Sequence, residues 1–280
     1  MATTVCVEIA VHDDPRLLAA VASLAAQSRR PDRILLAASP DTPAGLVEGA
    51  RRAAPDLPLD VVRAPGGVVA ARAAAQGAIS EGITAFLDSD EAAPPGWLDR
   101  LVGPIEAKLA EFTGGPTRPL RAPTRAVERY SVLLERSIYD RLDPSRPSTL
   151  PLQNSAWTSD LVRRLGFDPR IPFAEDHDLE CRALAGGARG TFVPAAWVFH
   201  DPTAVGGWGD WARKRYRYQV AMTMSLLKNR GLADRMRARG GPVRHPLAVV
   251  DLGLKPFAFV AGTVRWRRLE RTPTGVPAPG

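Results

Sequence analysis

The sequence predicts an α/β protein: a parallel sheet flanked by helices, with a helical extension at the C-terminus. Two observations carry this. Short apolar runs alternate with helical periodicities over the first 111 residues, a β-α-β-α succession that builds a parallel sheet with right-handed crossovers. One of these runs, residues 83–88, stays apolar until it stops on Asp88-Ser89-Asp90, as a strand buried on both faces does. A chain of 280 residues can bury one large core, or one core with an appendage.

Residues 5–11 are the first strand, closed by His-Asp-Asp-Pro. Leu17, Leu18, Val21, Leu24 and Ala25 then fall at helical spacing, and Pro31 ends that helix. Residues 33–38 are the second strand, closed by Ser-Pro-Asp-Thr-Pro. A polar-faced helix over 43–53 and a short strand over 59–62 follow. Gly66 and Gly67 open an Ala-rich helix that runs to Ser80, and a helix from Trp97 to Glu111 follows the strand that ends in Asp88. Residues 112–150 are Pro- and Arg-rich at their ends and hold one helix, 127–142. They read either as a mobile loop over the site or as an ordered cover for the sheet edge.

Charge divides unevenly. Net charge is +7, yet residues 201–280 hold 15 basic and 5 acidic residues whereas the first 200 hold 22 and 25. The surplus therefore points to an anionic partner for the C-terminal part alone, a membrane surface or a polyanion. Because 33 of the 37 basic residues are Arg, codon bias is the competing explanation. Trp211, Tyr218, Met222 and Leu226 recur near helical spacing among Arg213, Lys214, Arg215 and Arg217. This suits a helix at an anionic surface or a lipid-linked acceptor, and equally one that packs on the sheet domain through that stripe. Residues 247–264 are apolar, but Asp251, Lys255 and Pro256 interrupt them. A spanning helix wants about 20 uninterrupted apolar residues, so an in-plane or buried helix is expected. Two cysteines, Cys6 and Cys181, and no signal peptide point to the cytoplasm, with peripheral contact at the inner face of the membrane open to the protein. No nucleic-acid-binding module is recognisable.

Asp88 and Asp90 stand at the carboxyl end of a strand, where open α/β sheets bind ligands. Two hard oxygen donors beside a hydroxyl suit a divalent cation that shares its other positions with water and phosphates. Ser89 and Asp90 suit a helix N-cap equally well, ahead of Glu-Ala-Ala-Pro-Pro-Gly-Trp. Val11, His12 and Asp13 close the first strand at the same crevice.

In order and spacing, VCVEIAVHDD, ILLAASPDTP, GGVVAARAAAQGA and ITAFLDSDEAAPPGWLDRL resemble the nucleotide-sugar-binding half of family-2 glycosyltransferases, which implies the GT-A (Rossmann-like) fold with its mixed, mostly parallel sheet. GFDPRIPFAEDHDLECRALAGGARGTFVPAAWVFH resembles the acceptor-side segment of that family, with its Glu-Asp pair, GG-R turn and terminal His. The resemblance covers residues 3–200; Ala73 departs from it where Asn is common. It implies a catalytic domain over 1–200, with a nucleotide-sugar half at 1–111 and an acceptor half at 112–200. A basic helical extension at 201–270 and a disordered tail at 271–280 complete the division. The Trp- and Arg-rich extension more distantly resembles that of actinobacterial relatives which glycosylate peptide-derived redox carriers.

The implied reaction moves a sugar from a UDP-sugar or GDP-sugar to a hydroxyl of a small molecule, peptide or lipid-linked glycan, with Mg2+ or Mn2+. By resemblance Asp90 binds the cation and Asp88 meets the ribose, the donor sugar or the cation through water. His200 is a further ligand position, or else a hydrogen-bonded strand end. Asp176 is the implied base, with Glu175 second; both also suit the first turn of a helix, and Asp178 projects elsewhere. A base acting directly on the acceptor means single displacement with inversion. Asp41 fits a nucleobase contact or a turn cap, and Arg72 a diphosphate or carboxylate contact or a plain helix surface. Asn154 falls where the donor sugar and acceptor are supported, and Trp157 is wall, core or a stacking surface. A nucleotidyltransferase would need a basic phosphate loop that HDDPRLL does not supply. A non-catalytic binding subunit would be expected to have lost Asp90 or Asp176, and both are present.

Overall fold

The computed structural model describes residues 3–140, 142, 150–231 and 243–271. Strands β1 (Val5–Val11), β2 (Arg33–Ala38), β3 (Leu59–Arg63) and β4 (Ile83–Asp88) run parallel in the order β3-β2-β1-β4. Every residue of β1 and nearly every one of β2 and β4 is buried, which is why these three strands read as continuous apolar runs rather than alternating ones. β5 (Glu91–Ala92), β6 (Phe112–Gly114), β7 (Thr117–Pro119), β8 (Asn154–Thr158), β9 (Gly190–Phe192) and β10 (Val198–His200) are short. β8, antiparallel to β4, then β6 and β9 complete a seven-stranded sheet, β3-β2-β1-β4-β8-β6-β9. Helices α1 (Leu17–Ala25), α2 (Ala44–Ala53), α3 (Val68–Ala75), α4 (Trp97–Glu106), α5 (Ala126–Tyr139), α6 (Ser159–Leu165) and α7 (Glu175–Ala185) accompany it, followed by α8 (Trp208–Lys228) and α9 (Leu247–Arg271). One face of the sheet packs Ile9, Leu36 and Leu87 against Leu24, Trp97 and Leu101. On the other, Phe86, Phe112 and Trp157 meet Leu161, Phe167 and Leu179. Trp157 is core, stacked on Phe112 at 4.4 Å, and has no exposed face for an acceptor.

Three differences from the sequence reading bear on the site. α3 stops at Ala75 in a short 3-10 turn, and α4 stops at Glu106 instead of Glu111. There the chain reverses at Lys108, φ +58°, and Glu111 bonds to Arg189. Ser89 and Asp90 do not cap a helix. They lead into β5, and α4 begins only at Trp97, with left-handed Gly96 (φ +78°) as its N-cap and no side-chain cap. β5 joins a second sheet, β5-β10-β7, in which Glu91 pairs with His200.

The helix of the 112–150 segment is firmly held. Glu128 accepts from Thr124 N (2.8 Å), Arg121 and Arg125 at its start, and Tyr139 stacks on Phe192 at its end. Midway, Tyr130 donates to Asp251 of α9 (3.0 Å). That carboxylate also accepts two bonds from Arg215 (2.9 Å each) and one from Gln219 (2.6 Å). The α8–α9 contact is therefore partly polar, and the buried stripe of α8 follows Trp211, Gln219, Val220 and Met224. The expected Leu226 is exposed. α9 continues through Asp251, Lys255 and Pro256, the expected interruptions, for 25 residues. By length and composition it is long and apolar enough to cross a membrane. Arg271, the first residue of the tail predicted over 271–280, instead ends α9, and 272–280 lie outside the described residues.

Candidate active site

β4 ends in Asp88, whose carboxylate accepts from Arg72 Nη2 at 2.9 Å. Arg72, on α3, is 3% exposed, and its Nε lies 4.0 Å from an oxygen of the fully buried Glu8 on β1. Among the described residues, both Glu8 oxygens, Arg72 Nε and Nη1, and one Glu91 oxygen have no hydrogen-bond partner. Burial pushes the Glu8 carboxyl up to about 7, against the pull of Arg72 and with the push of Asp88. Burial likewise takes Glu175 up to about 7, with Arg72 opposing and Asp176 adding. Asp88 is raised by burial more than Arg72 lowers it. Glu91, which accepts from Asp88 N (3.1 Å), is driven well above the usual range by burial and by Asp88. Several carboxyls thus share one guanidinium, so the pocket carries too little positive charge.

Beyond Asp88, Asp90 and His200 face each other, Oδ2 to Nε2, at 3.3 Å. Glu135 of α5 approaches the other ring nitrogen, Nδ1, at 3.1 Å and is itself held by Thr117 Oγ1 (2.8 Å). Burial works against a charged imidazole, yet Asp90 and Glu135 outweigh it and raise His200 well above its ordinary value. Burial also opposes ionised Asp90, and His200 with Arg16 holds that carboxyl below its ordinary range. Arg16 is gripped by Asp14 (2.8 Å) and stands 3.9 Å from Asp90 and 3.7 Å from Asp201.

Among the described residues no group of three His, Cys, Asp or Glu side chains could hold a metal ion by itself. Asp90 and His200 nevertheless fit as a two-ligand site. Donors about 2.1 Å from a small divalent ion stand about 3 Å apart at adjacent positions, and such ions keep water and substrate phosphates as their other ligands. The unpartnered oxygen of Glu91, the neighbour of Asp90 in sequence and of His200 in the sheet, fits the same need for a cation.

A cleft of about 490 Å³ opens beyond the carboxyl ends of β1, β2 and β3, lined by His12, Ser39, Asp41, Gly66, Gly67 and Val68. Gly66 (φ +102°) and Gly67 (φ +89°) take left-handed backbone that a side chain would strain, and so bring the first turn of α3 to the cleft. His12 and Asp41 are exposed there, and His12 Nδ1 meets Ser39 Oγ at 2.5 Å. Two sequence-picked residues do not reach it. The Val11 side chain is core, and its carbonyl accepts from Ser39 N and Thr42 Oγ1. Asn154 has no exposed surface; it donates to Pro116 O (3.0 Å) and Ala196 O (2.9 Å) and accepts from Trp97 Nε1 (2.8 Å).

Glu175 and Asp176 open α7, where the helix dipole favours negative charge. Asp178 points away from them, buried against Arg182 (2.8 Å), Lys228 (2.9 Å) and Asn229 (3.0 Å). Just before α7, Phe173 is half exposed with φ +69°, a costly conformation for an aromatic residue. Sequence reasoning missed Glu8, Arg16, Glu135 and Phe173. Only Glu8 left a signal, a lone carboxylate in an apolar strand.

The description of glycosyl transferase family 2 matches residues 6–152. The pre-mycofactocin glycosyltransferase of Mycobacterium tuberculosis is 31% identical over 213 residues, 73% of this chain and 45% of that protein. The chain thus spans less than half the length of this curated relative. Among solved structures, a mannosyltransferase from Pyrobaculum calidifontis in complex with GDP-Man and Mn2+ superposes with TM-score 0.62, at 18% identity over 98% of this chain and 77% of that one. Glucosyl-3-phosphoglycerate synthase from Mycobacterium tuberculosis, with Mn2+, UDP and phosphoglyceric acid, gives TM-score 0.56 at 16% identity over 82% of this chain and 79% of that one. At these identities the structural likeness is one of fold; the family match covers more than half of the chain. The chain belongs to glycosyl transferase family 2.

Proposed function

We propose that the protein transfers a glycosyl group from a nucleoside diphosphate sugar to a hydroxyl acceptor, with inversion, at a site that takes Mg2+ or Mn2+. The observation that carries this reading is the excess of carboxyls at the carboxyl edge of β4, where Asp88, Glu91 and Glu175 are all raised. Asp90 and His200 would hold the ion, which when bound stabilises the negative charge growing on the leaving diphosphate. Asp88, fixed by Arg72, would meet the ribose or donor sugar. Asp41 and His12 line the cleft that suits the nucleoside.

Asp176 is assigned as the base. Its carboxylate takes the acceptor proton as the acceptor oxygen attacks the anomeric carbon and the bond to the diphosphate oxygen breaks on the opposite face. Such a base contributes typically 10² to 10⁴ in rate. Glu175, with its carboxyl near 7, is the second candidate. The solved neighbours with Mn2+ and GDP-Man or UDP support the kind of cofactor, and the 31% identical relative makes pre-mycofactocin the first acceptor to try. Residues 201–270 are assigned to an extension that meets an anionic membrane peripherally. Its exposed Val249, Leu252, Phe257, Phe259 and Val260 lie on the same helix as exposed Arg265 and Arg267.

Asp176→Asn is expected to keep Mn2+-dependent UDP or GDP binding and lose transfer, whereas Asp90→Ala loses that binding. Calorimetric titration with a transfer assay checks both; the reverse pattern would exchange the two roles.

A further inference from the structure

We infer that Glu135, carried by α5 in the 112–150 segment, is a positioning residue for the cation site: with the ion bound it holds the ring proton of His200 on Nδ1, so that Nε2 is left toward Asp90 and the divalent ion. This rests on the reading of Asp90 and His200 as cation ligands.

A neutral imidazole offers one nitrogen as donor and the other as acceptor, and the hydrogen bond at the first decides which nitrogen can bind a metal. Here the carboxylate stands on the Nδ1 side, with its two oxygens at 3.1 and 3.3 Å, and Asp90 stands on the Nε2 side at 3.3 Å. A carboxylate behind the ring and an ion in front of it is the usual outer arrangement of a metal-binding histidine.

Glu135 is also held in place from several directions. Thr117 donates to it from β7, and β7 pairs with β10, the strand that ends in His200. The carboxylate and the imidazole are therefore registered by one small sheet. Its own helix is tied down at Glu128, Tyr130 and Tyr139. Neither Glu135 nor His200 is wide open to water, with side chains 29% and 20% exposed, so the contact is partly shielded from competition. The 112–150 segment thereby supplies part of the site.

The test is binding of Mn2+ alone, and of Mn2+ in the presence of UDP, measured by electron paramagnetic resonance of the free ion. Glu135→Ala is expected to weaken Mn2+ binding about 10- to 100-fold with the far-UV dichroism of the wild type. Glu135→Gln, whose amide oxygen still accepts from Nδ1–H, and Thr117→Val should show smaller losses in the same direction. Nitrogen-15 NMR of the Mg2+-loaded protein should show the Nδ1–H tautomer of His200 in the wild type and a mixture in Glu135→Ala. An unchanged affinity and tautomer in Glu135→Ala, with weaker binding in His200→Ala, overturns the inference and leaves the cation site standing. Unchanged Mn2+ binding in both His200→Ala and Asp90→Ala overturns the cation reading itself. If Glu135→Ala does not fold, unchanged affinity in both Glu135→Gln and Thr117→Val is the overturning result.

Discussion

Asn154→Ala separates two accounts of one residue. The sequence position suggests a donor or acceptor contact, whereas the side chain is fully enclosed and joins three pieces of chain. Its amide donates to Pro116 O and Ala196 O, and its oxygen accepts from the Trp97 indole. Truncation removes three hydrogen bonds, each worth about 1 kcal/mol net, and leaves the buried indole N–H without an acceptor, a further 1 kcal/mol or so. The sum, about 4 kcal/mol, corresponds to a fall of about 7 °C in melting temperature for a chain of this size. The packing leaves no room for an easy repair, since a Cβ on the adjacent Gly115 would already lie 1.7 Å from Ala196 O. Thermal and urea unfolding, run beside UDP titration in Mn2+, give the answer. A variant that melts like the wild type but no longer binds UDP would refute the structural account and restore Asn154 to the donor site.

Two further outcomes follow from buried charge and from the exposed helix. Glu8, with its carboxyl raised from 4.5 to about 7, holds its proton more tightly in the folded protein than in the unfolded one. Stability is therefore lost as pH rises through that window, by at most about 3 kcal/mol. Glu8→Gln should flatten this slope in chelator-treated protein, read from urea midpoints at pH 5 and pH 8; an unaltered slope would show that Glu8 does not titrate there. Vesicles of phosphatidylcholine with phosphatidylglycerol should sediment the protein and plain phosphatidylcholine should not. Phe257→Ser with Phe259→Ser, or Arg265→Glu with Arg267→Glu, should reduce that binding. Equal sedimentation by both lipids, or none, would dismiss the peripheral contact.

The parallel half of the fold was legible because its physics is local. β1, β2 and β4 are buried on both faces, so continuous apolar runs ending in turn residues marked them within a residue. Asp88 and Asp90 were visible for the same reason, at the abrupt end of such a run. Of the second sheet, only the strand end at His200 was legible. β5, β7 and β10 have two or three residues each, too few to show a period, and β10 meets β5 across more than 100 residues of sequence. With that sheet went the true neighbours of Asp90, and Glu135 in particular, which reaches His200 from 65 residues away. The stripe of α8 was misread because its partner presents a carboxylate. Arg215 and Gln219 face Asp251, and a pattern built on apolar spacing passes over them. Asn154 read as a ligand contact because an amide that bonds only to backbone and an indole looks, in sequence, like one that bonds to a ligand.

The most direct test of the central claim is a panel of UDP- and GDP-sugars incubated with the protein, with and without Mn2+, with release of nucleoside diphosphate measured. The account predicts that at least one donor is turned over only with the metal, that an acceptor accelerates release, and that Asp90→Ala and Asp176→Asn each abolish it. Release that is indifferent to Mn2+ and to both substitutions would contradict it, as would a panel in which no donor is turned over.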